Sequence, residues 1–247
     1  MRIAVAGGTG MVGSLVVTRL KMNGHEPVVL ARATGVDLMT GTGLREKLDG
    51  VEVVVDVTST GTTSAKVATE FFTTTTGNLL DAGAAAGVRH HLLLSIVGID
   101  VTPFGYYVGK VAQEALVEAS PVPSTIVRAP QFHEFAAQMI DRASFAGVTV
   151  VPRMLSAPMA AREVAEHLVT LVSGDPLGRA PEIGGPQQEQ MTDMVRRLLR
   201  RRGSRRPVLG LRVPGQAGRS MRSGALVPTD PGLIGTQTYD AWLEGQE

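Results

Sequence analysis

The chain has 247 residues, 43% of them hydrophobic and 19% charged, with a formal net charge of +1. That length and composition suit one α/β domain with a substantial core and exclude a disordered chain, while the near-neutral balance argues against a general polyanion binder. With no cysteine, disulfides and cysteine metal sites are excluded, and no apolar run approaches the roughly 18 residues of a membrane span.

The apolar run Ile3–Ala6 opens the chain, followed by glycines at 7, 10 and 13 and a helical pattern over Met11–Met22. Because the first strand begins at Arg2, no signal peptide is expected, and a soluble cytoplasmic protein is the default. Further apolar runs at Val28–Leu30, Val53–Val57, Leu92–Ile96, Thr125–Val127 and Val148–Val151 read as strands covered on both faces. Helical periodicity occupies Leu44–Leu48, Ala65–Ala86, Tyr106–Ala119 and Glu134–Phe145 between them. This alternation predicts an α/β fold with a Rossmann-type doubly wound parallel sheet over residues 1–151.

The rhythm changes after Val151. Ala161–Ser173 and Met191–Arg202 read as helices, Glu182–Ile183 as a short extended piece, residues 207–236 as irregular, and Tyr239–Leu243 as a closing helix. Residues 152–247 are expected to be a substrate-pocket elaboration of the same domain, at the carboxyl edge of the sheet. Seven arginines between Arg196 and Arg206 read as a solvated helix face, its positive charge gathered at the carboxyl terminus, rather than a nucleic-acid patch.

The glycine spacing follows a strand and opens a helix within a strand–helix–strand unit, the context expected of a dinucleotide-binding turn. Gly7 permits the tight turn, Gly10 lets the backbone approach a pyrophosphate, and Gly13 lets the helix pack close to the strand. Thr9, Met11 and Val12 complete the turn, with the phosphates expected at the positive end of the helix. An NAD site normally carries an acid at the end of the second strand. Here the strand runs into "VVLAR", and Arg32 stands where a guanidinium can pair with a 2′-phosphate. NADP, as NADPH, is therefore expected ahead of NAD, with Asp37 and Leu38 beside the adenine.

Ser95 ends the fourth run, and Tyr106 and Lys110 form Tyr-x-x-x-Lys, one helical turn apart and on one face. A carbonyl that receives hydride must gain a proton, which a phenol can donate. An adjacent ammonium lowers the phenol pKa and can hold a ribose, and a serine hydroxyl steadies the developing oxyanion. Ser95, Tyr106 and Lys110 are thus the candidate catalytic residues, with Lys110 also a cofactor ligand.

The segments "AVAGGTGMVG", "LARATGVDLMTGTGL", "LSIVGID", "YYVGKVAQE" and "IVRAPQFHEF" together resemble the NmrA-like group of atypical short-chain dehydrogenases/reductases. The likeness extends over roughly residues 1–140, and the tail "TQTYDAWL" fits it. It implies a Rossmann-type fold, NADP binding and reductase or dehydrogenase activity, in a group that also includes redox sensors. Ser95 precedes Tyr106 by 11 residues, a shorter interval than in classical members.

Thr58 and Ser59 follow the third strand, where they can meet phosphate or ribose. Pro130 directs the chain out of the fifth strand, so Phe132 and His133 are expected toward the nicotinamide end as substrate contacts, His133 reading first as a wall residue. His90 and His91 precede the fourth strand, and no metal site is expected. The leading expectation is an NADP-dependent oxidoreductase for a small carbonyl or unsaturated compound. The alternatives are a cofactor-binding redox sensor and a non-redox isomerase or dehydratase. A small-molecule substrate is the expected partner, with neither nucleic acid nor membrane, and a homo-oligomer remains compatible.

Overall fold

The computed structural model describes residues 1–246. In chain order the elements are β1 (Arg2–Ala6), α1 (Met11–Met22), β2 (Glu26–Leu30), α2 (Leu44–Lys47), β3 (Val53–Asp56), α3 (Ala65–Ala86), β4 (His90–Ile96), α4 (Gly105–Ala119), β5 (Ser124–Ala129) and α5 (Phe135–Ala143). They continue as β6 (Ser144–Phe145), β7 (Val148–Pro152), β8 (Leu155–Ser156), α6 (Ala161–Leu171), β9 (Gly178–Arg179), β10 (Ile183–Gly184), β11 (Glu189–Gln190), α7 (Met191–Arg201), β12 (Val208–Leu211), α8 (Gly215–Ser223), β13 (Leu233–Ile234) and α9 (Tyr239–Glu244). No helix among the described residues is long and apolar enough to cross a membrane.

Two compact units are interleaved along the chain. One comprises Met1–Ser95, Phe104–Arg128 and Arg162–Ala180, the other Ile96–Pro103, Ala129–Ala161 and Pro181–Glu247. The division therefore does not fall at residue 151, because α6 and β9 belong with the main sheet.

The first unit holds a six-stranded sheet in the order β2-β1-β3-β4-β5-β9. β1 pairs in parallel with both β2 and β3, β3 with β4, and β5 with β9. Strands buried on both faces tolerate the unbroken apolar runs seen in β1 and β3. A core of Ala4, Ala6, Val28, Leu30, Leu44, Leu48, Val54 and Leu79 lies against the sheet. Because β2 and β3 flank β1 on opposite sides, the strand order reverses at the carboxyl ends of β1 and β3, the place where ligands bind in such sheets. Helix α3 begins at Ser64, whose hydroxyl accepts from the Val67 N–H, and ends at Gly87. It lies against α4 at Gly109, where a Cβ would come within 2.7 Å of the Ala68 backbone carbon.

In the second unit, β12, β7 and β6 form a separate three-stranded sheet. The run Val148–Val151 is therefore a strand but not one of the main sheet, whose sixth strand is the short β9. Continuous apolar character marks a strand without saying which sheet will take it. Residues 207–236, expected to be irregular, contain β12, α8 and β13, which are too short for periodicity to reveal. Helix α5 stops at Ala143, and the next two residues turn into β6. Helix α7 buries Met191, Met194, Val195, Leu198 and Leu199, and Tyr239 of α9 donates its hydroxyl to the Met194 carbonyl at 3.0 Å.

Candidate functional site

The turn after β1 is built from its glycines upward. Gly7 has φ +78°, and a Cβ there would lie 3.0 Å from the Val57 carbonyl oxygen. Gly13 faces inward, and its Cβ would overlap the Gly7 carbonyl oxygen and stand 2.7 Å from Gly8 Cα. Gly10 is the N-cap of α1, is exposed, and has φ −77° with no side-chain cap. Its Cβ would have one neighbour, the Gly7 carbonyl oxygen at 3.2 Å, with open space beyond. Thr9 and Met11 are exposed on this rim, whereas Val12 is buried. An uncapped helix start behind a turn that leaves room at Gly10 leaves backbone N–H groups able to hold an anionic group such as a pyrophosphate.

Arg32 follows β2 at the same edge of the sheet. It opens a single 3-10 turn, Arg32–Thr34, pinned by the Thr34 hydroxyl, which accepts from the Ala31 N–H at 3.2 Å and donates to the Val29 carbonyl at 2.8 Å. The guanidinium is exposed, with no acidic partner among the described residues. Asp37 accepts from the Met39 N–H at 2.8 Å, holding a local turn. Leu38 packs against the core, and Asn78 fixes the loop by donating to the Leu38 and Met39 carbonyls at 2.9 and 3.1 Å.

At the end of β3 a buried polar cluster begins with Asp56, which no motif in the sequence marks. One carboxylate oxygen accepts from the Thr58 N–H and hydroxyl at 2.9 and 2.7 Å. The other accepts from Gln113 at 3.1 Å and from Thr76 at 3.3 Å. Thr58 is thus occupied with Asp56. Ser59 is exposed, and its hydroxyl lies 3.0 Å from the Tyr106 hydroxyl. Tyr106 and Lys110 share a face of α4 as the spacing predicts, and Phe72 lies under both. Its ring meets the Tyr106 ring edge-on at 5.3 Å, and the Lys110 ammonium sits 4.9 Å from its centroid. Lys110 is 2% exposed and donates to the Leu94 carbonyl at 2.7 Å and to the Gln113 amide oxygen. Two of its three N–H groups are engaged in this way.

Ser95 is buried, and its hydroxyl has no hydrogen-bond partner among the described residues. The structure therefore brings Ser59, rather than Ser95, to the phenol. Glu114 is also buried; burial alone would raise its pKa, but the bidentate Arg128 pair and Arg179 hold it below the ordinary value. His90 and His91 stand within β4 rather than before it. His90 Nε2 lies 2.9 Å from the Thr125 hydroxyl, and His91 Nε2 lies 3.8 Å from Asp56. Burial lowers both pKa values. No group of metal-ligating side chains occurs among the described residues.

Phe132 and His133 belong to the second unit. His133 is buried, with Nε2 at 2.9 Å from the Gln237 carbonyl and its ring edge-on to Tyr239 at 5.5 Å. Phe132 is half-buried and bridges to Met159.

Burial pulls the Lys110 ammonium down to about 8, while Asp56 and Glu114 oppose that fall. Between about 8 and the ordinary 10.5 the unfolded chain binds the extra proton, so this residue makes the fold more stable as pH rises through that window. Melting curves from about pH 7.5 to pH 10 should show that rise flattened in Lys110→Met. Parallel curves for the two proteins would place the lysine in water.

A model of the NAD(P)H-binding family matches residues 31–174, more than half of the chain. The chain belongs to this family. The match begins after the glycine turn and includes Arg32, Ser59, Tyr106 and Lys110. Among solved structures, the chain is similar to an Escherichia coli NADPH-dependent quinone oxidoreductase complexed with NADPH, at 19% identity, TM-score 0.74 and 98% coverage of each chain. It is also similar to a dTDP-4-dehydrorhamnose reductase from Clostridium acetobutylicum, at 14% identity and TM-score 0.75, covering 99% of this chain and 98% of that one. A UDP-N-acetylglucosamine 4-epimerase from Bacillus cereus is similar at 19% identity and TM-score 0.67, with 85% of each chain covered. At these identities the likeness establishes the Rossmann-type fold. No curated protein is detectably similar in sequence.

Proposed function

We propose that this protein is an NADPH-dependent oxidoreductase that passes hydride to or from a small carbonyl or other unsaturated organic compound. The observation that carries this reading is the Tyr106 phenol, 3.0 Å from the Ser59 hydroxyl and one helical turn from a buried lysine. A nicotinamide held past the carboxyl ends of β1 and β3 would supply the hydride. Tyr106 supplies the proton to the acceptor oxygen, and Ser59 orients the phenol. Lys110, anchored by Leu94 and Gln113, has one N–H left that would hold the ribose, and its charge favours the phenolate. The same Tyr–Lys pair distinguishes this reading from a sensor, which needs no proton donor.

NADPH is preferred over NADH because Arg32, with no acidic partner among the described residues, follows β2 where the sequence carries no acid to receive ribose hydroxyls. Calorimetric titration of both cofactors tests this. Arg32→Ala should cost roughly 1.5–3 kcal/mol for NADPH and little for NADH, the worth of a charge-assisted phosphate contact. Equal losses would show that Arg32 does not read the 2′-phosphate. Turnover is tested with NADPH against a panel of aldehydes, ketones and quinones. Silence across the panel, with partner binding that differs between NADP and NADPH, would favour the sensor.

A further inference from the structure

The β12-β7-β6 sheet presents an apolar face outward. Thr149 and Val151 of β7 point inward and are fully buried, which places Val148, Val150 and Pro152 on the other side. The register sets Leu209 beside Val150 and Leu211 beside Pro152, and pairs Phe145 with Val148. Phe145 is 84% exposed, Leu209 56%, Leu211 53% and Val150 39%. A sheet with one wet face ordinarily alternates apolar with polar residues. Here every residue of the outward set is apolar, and the strand register makes them neighbours rather than scattered surface residues. Phe145 stands at the tip of a hairpin whose two turn residues, Ala146 and Gly147, both have positive φ.

The segments that carry these strands are rich in arginine. Residues 194–229 contain ten arginines and no acid, and residues 142–162 likewise contain no acid, in a chain whose net charge is only +1. Arg142, Arg205, Arg206 and Arg212 flank the strands, all exposed and none ion-paired among the described residues. A second copy docking through the same patch would bring two basic rims together, which disfavours it. A protein partner ordinarily meets its target with about one hydrogen bond per 100–200 Å², and the outward side chains of the strands make none, leaving only the flanking arginines to do so. An anionic lipid surface satisfies both features, because acyl chains accept Phe145, Leu209 and Leu211 while headgroups neutralise the arginines.

We propose that this face docks the protein on anionic bilayers. Peripheral attachment of this kind requires no spanning segment, so the lack of a long apolar run does not oppose it. The test is co-sedimentation of the full chain with vesicles of phosphatidylcholine alone and of phosphatidylcholine with phosphatidylglycerol. The chain should bind the mixed vesicles, weaken as salt rises, and bind the neutral ones far less. The Phe145→Ser, Leu209→Ser double variant, whose exposed positions leave the melting temperature near wild type, should lose roughly tenfold or more in partitioning. Arg205→Gln with Arg206→Gln should erase the preference for anionic lipid while keeping the apolar contact. Three results would overturn the proposal: no binding to either vesicle; unchanged binding by the Phe145–Leu209 variant, which would mark a plain polyanion patch; or self-association in sedimentation velocity that this variant abolishes, which would give the face to a second copy.

Discussion

Tyr106→Phe is expected to reduce turnover of an accepted carbonyl or quinone by roughly 10²–10⁴-fold, the usual contribution of a positioned acid. The substitution removes one oxygen and leaves the ring on the edge of Phe72, so the α3–α4 packing and NADPH affinity should be nearly unchanged. Loss of kcat at constant cofactor Kd is the signature of a proton donor rather than a binding residue. The 3.0 Å contact between the Ser59 and Tyr106 hydroxyls adds a ranking. Ser59→Ala should lower turnover more than Ser95→Ala, because the Ser95 hydroxyl is buried without a hydrogen-bond partner among the described residues while Ser59 meets the phenol. Full activity in Tyr106→Phe would move the donor elsewhere and end the Tyr–Lys mechanism while leaving hydride transfer intact. The reverse ranking of the two serines would restore Ser95 to the phenol.

Those two serines show what a sequence can and cannot disclose. Tyr-x-x-x-Lys is legible because helical geometry alone puts both residues on one face. The serine is different, because it comes from another strand, and spacing along the chain says nothing about which strand end lies beside α4. Ser95 is closer to Tyr106 in sequence, yet Ser59, in the loop after β3, makes the contact. Asp56 is hidden in the sequence for a related reason. A single acid at the end of an apolar run reads as the start of a loop, and its partners Thr76 and Gln113 lie 20 and 57 residues away.

The fold divides along the same line. The main-sheet strands and the helices Met11–Met22 and Ala65–Ala86 are visible because long periodic segments bury one clear face. Val148–Val151 was legible as a strand but not as a member of a separate sheet, since its outward apolar residues imitate a strand buried on both sides. The two-residue strands and α8 carry too little pattern to be seen, and tertiary pairing alone defines them. His90 and His91 extend β4 backward by two residues because Thr125 and Asp56 give their rings polar neighbours in the sheet interior.

The glycine turn yields the other large effect, and it separates binding from folding within four residues. Gly10→Val is expected to abolish NADPH binding in a protein that still folds. Backbone φ of −77° suits any L-residue, and the one atom near the new Cβ is the Gly7 carbonyl oxygen, at 3.2 Å. Valine is a poor N-cap, so α1 should lose about 1 kcal/mol. Its branched side chain extends into the open side of the turn, where the pyrophosphate must approach the first N–H groups of α1. Losing even one charge-assisted hydrogen bond of roughly 1.5–3 kcal/mol lowers affinity by about 10- to 100-fold, and blocking two or more removes measurable binding. Gly13→Ala should fail in the opposite way. Its Cβ would overlap the Gly7 carbonyl oxygen and press on Gly8 Cα, forcing α1 away from β1, so the denaturation midpoint should fall before any question of binding arises. Titration calorimetry and urea melts on the two variants give the comparison. A Gly10→Val protein that binds NADPH like wild type would show that the phosphates do not pass this turn. A Gly13→Ala protein as stable as wild type would show that the helix does not pack as closely on the strand as the turn requires.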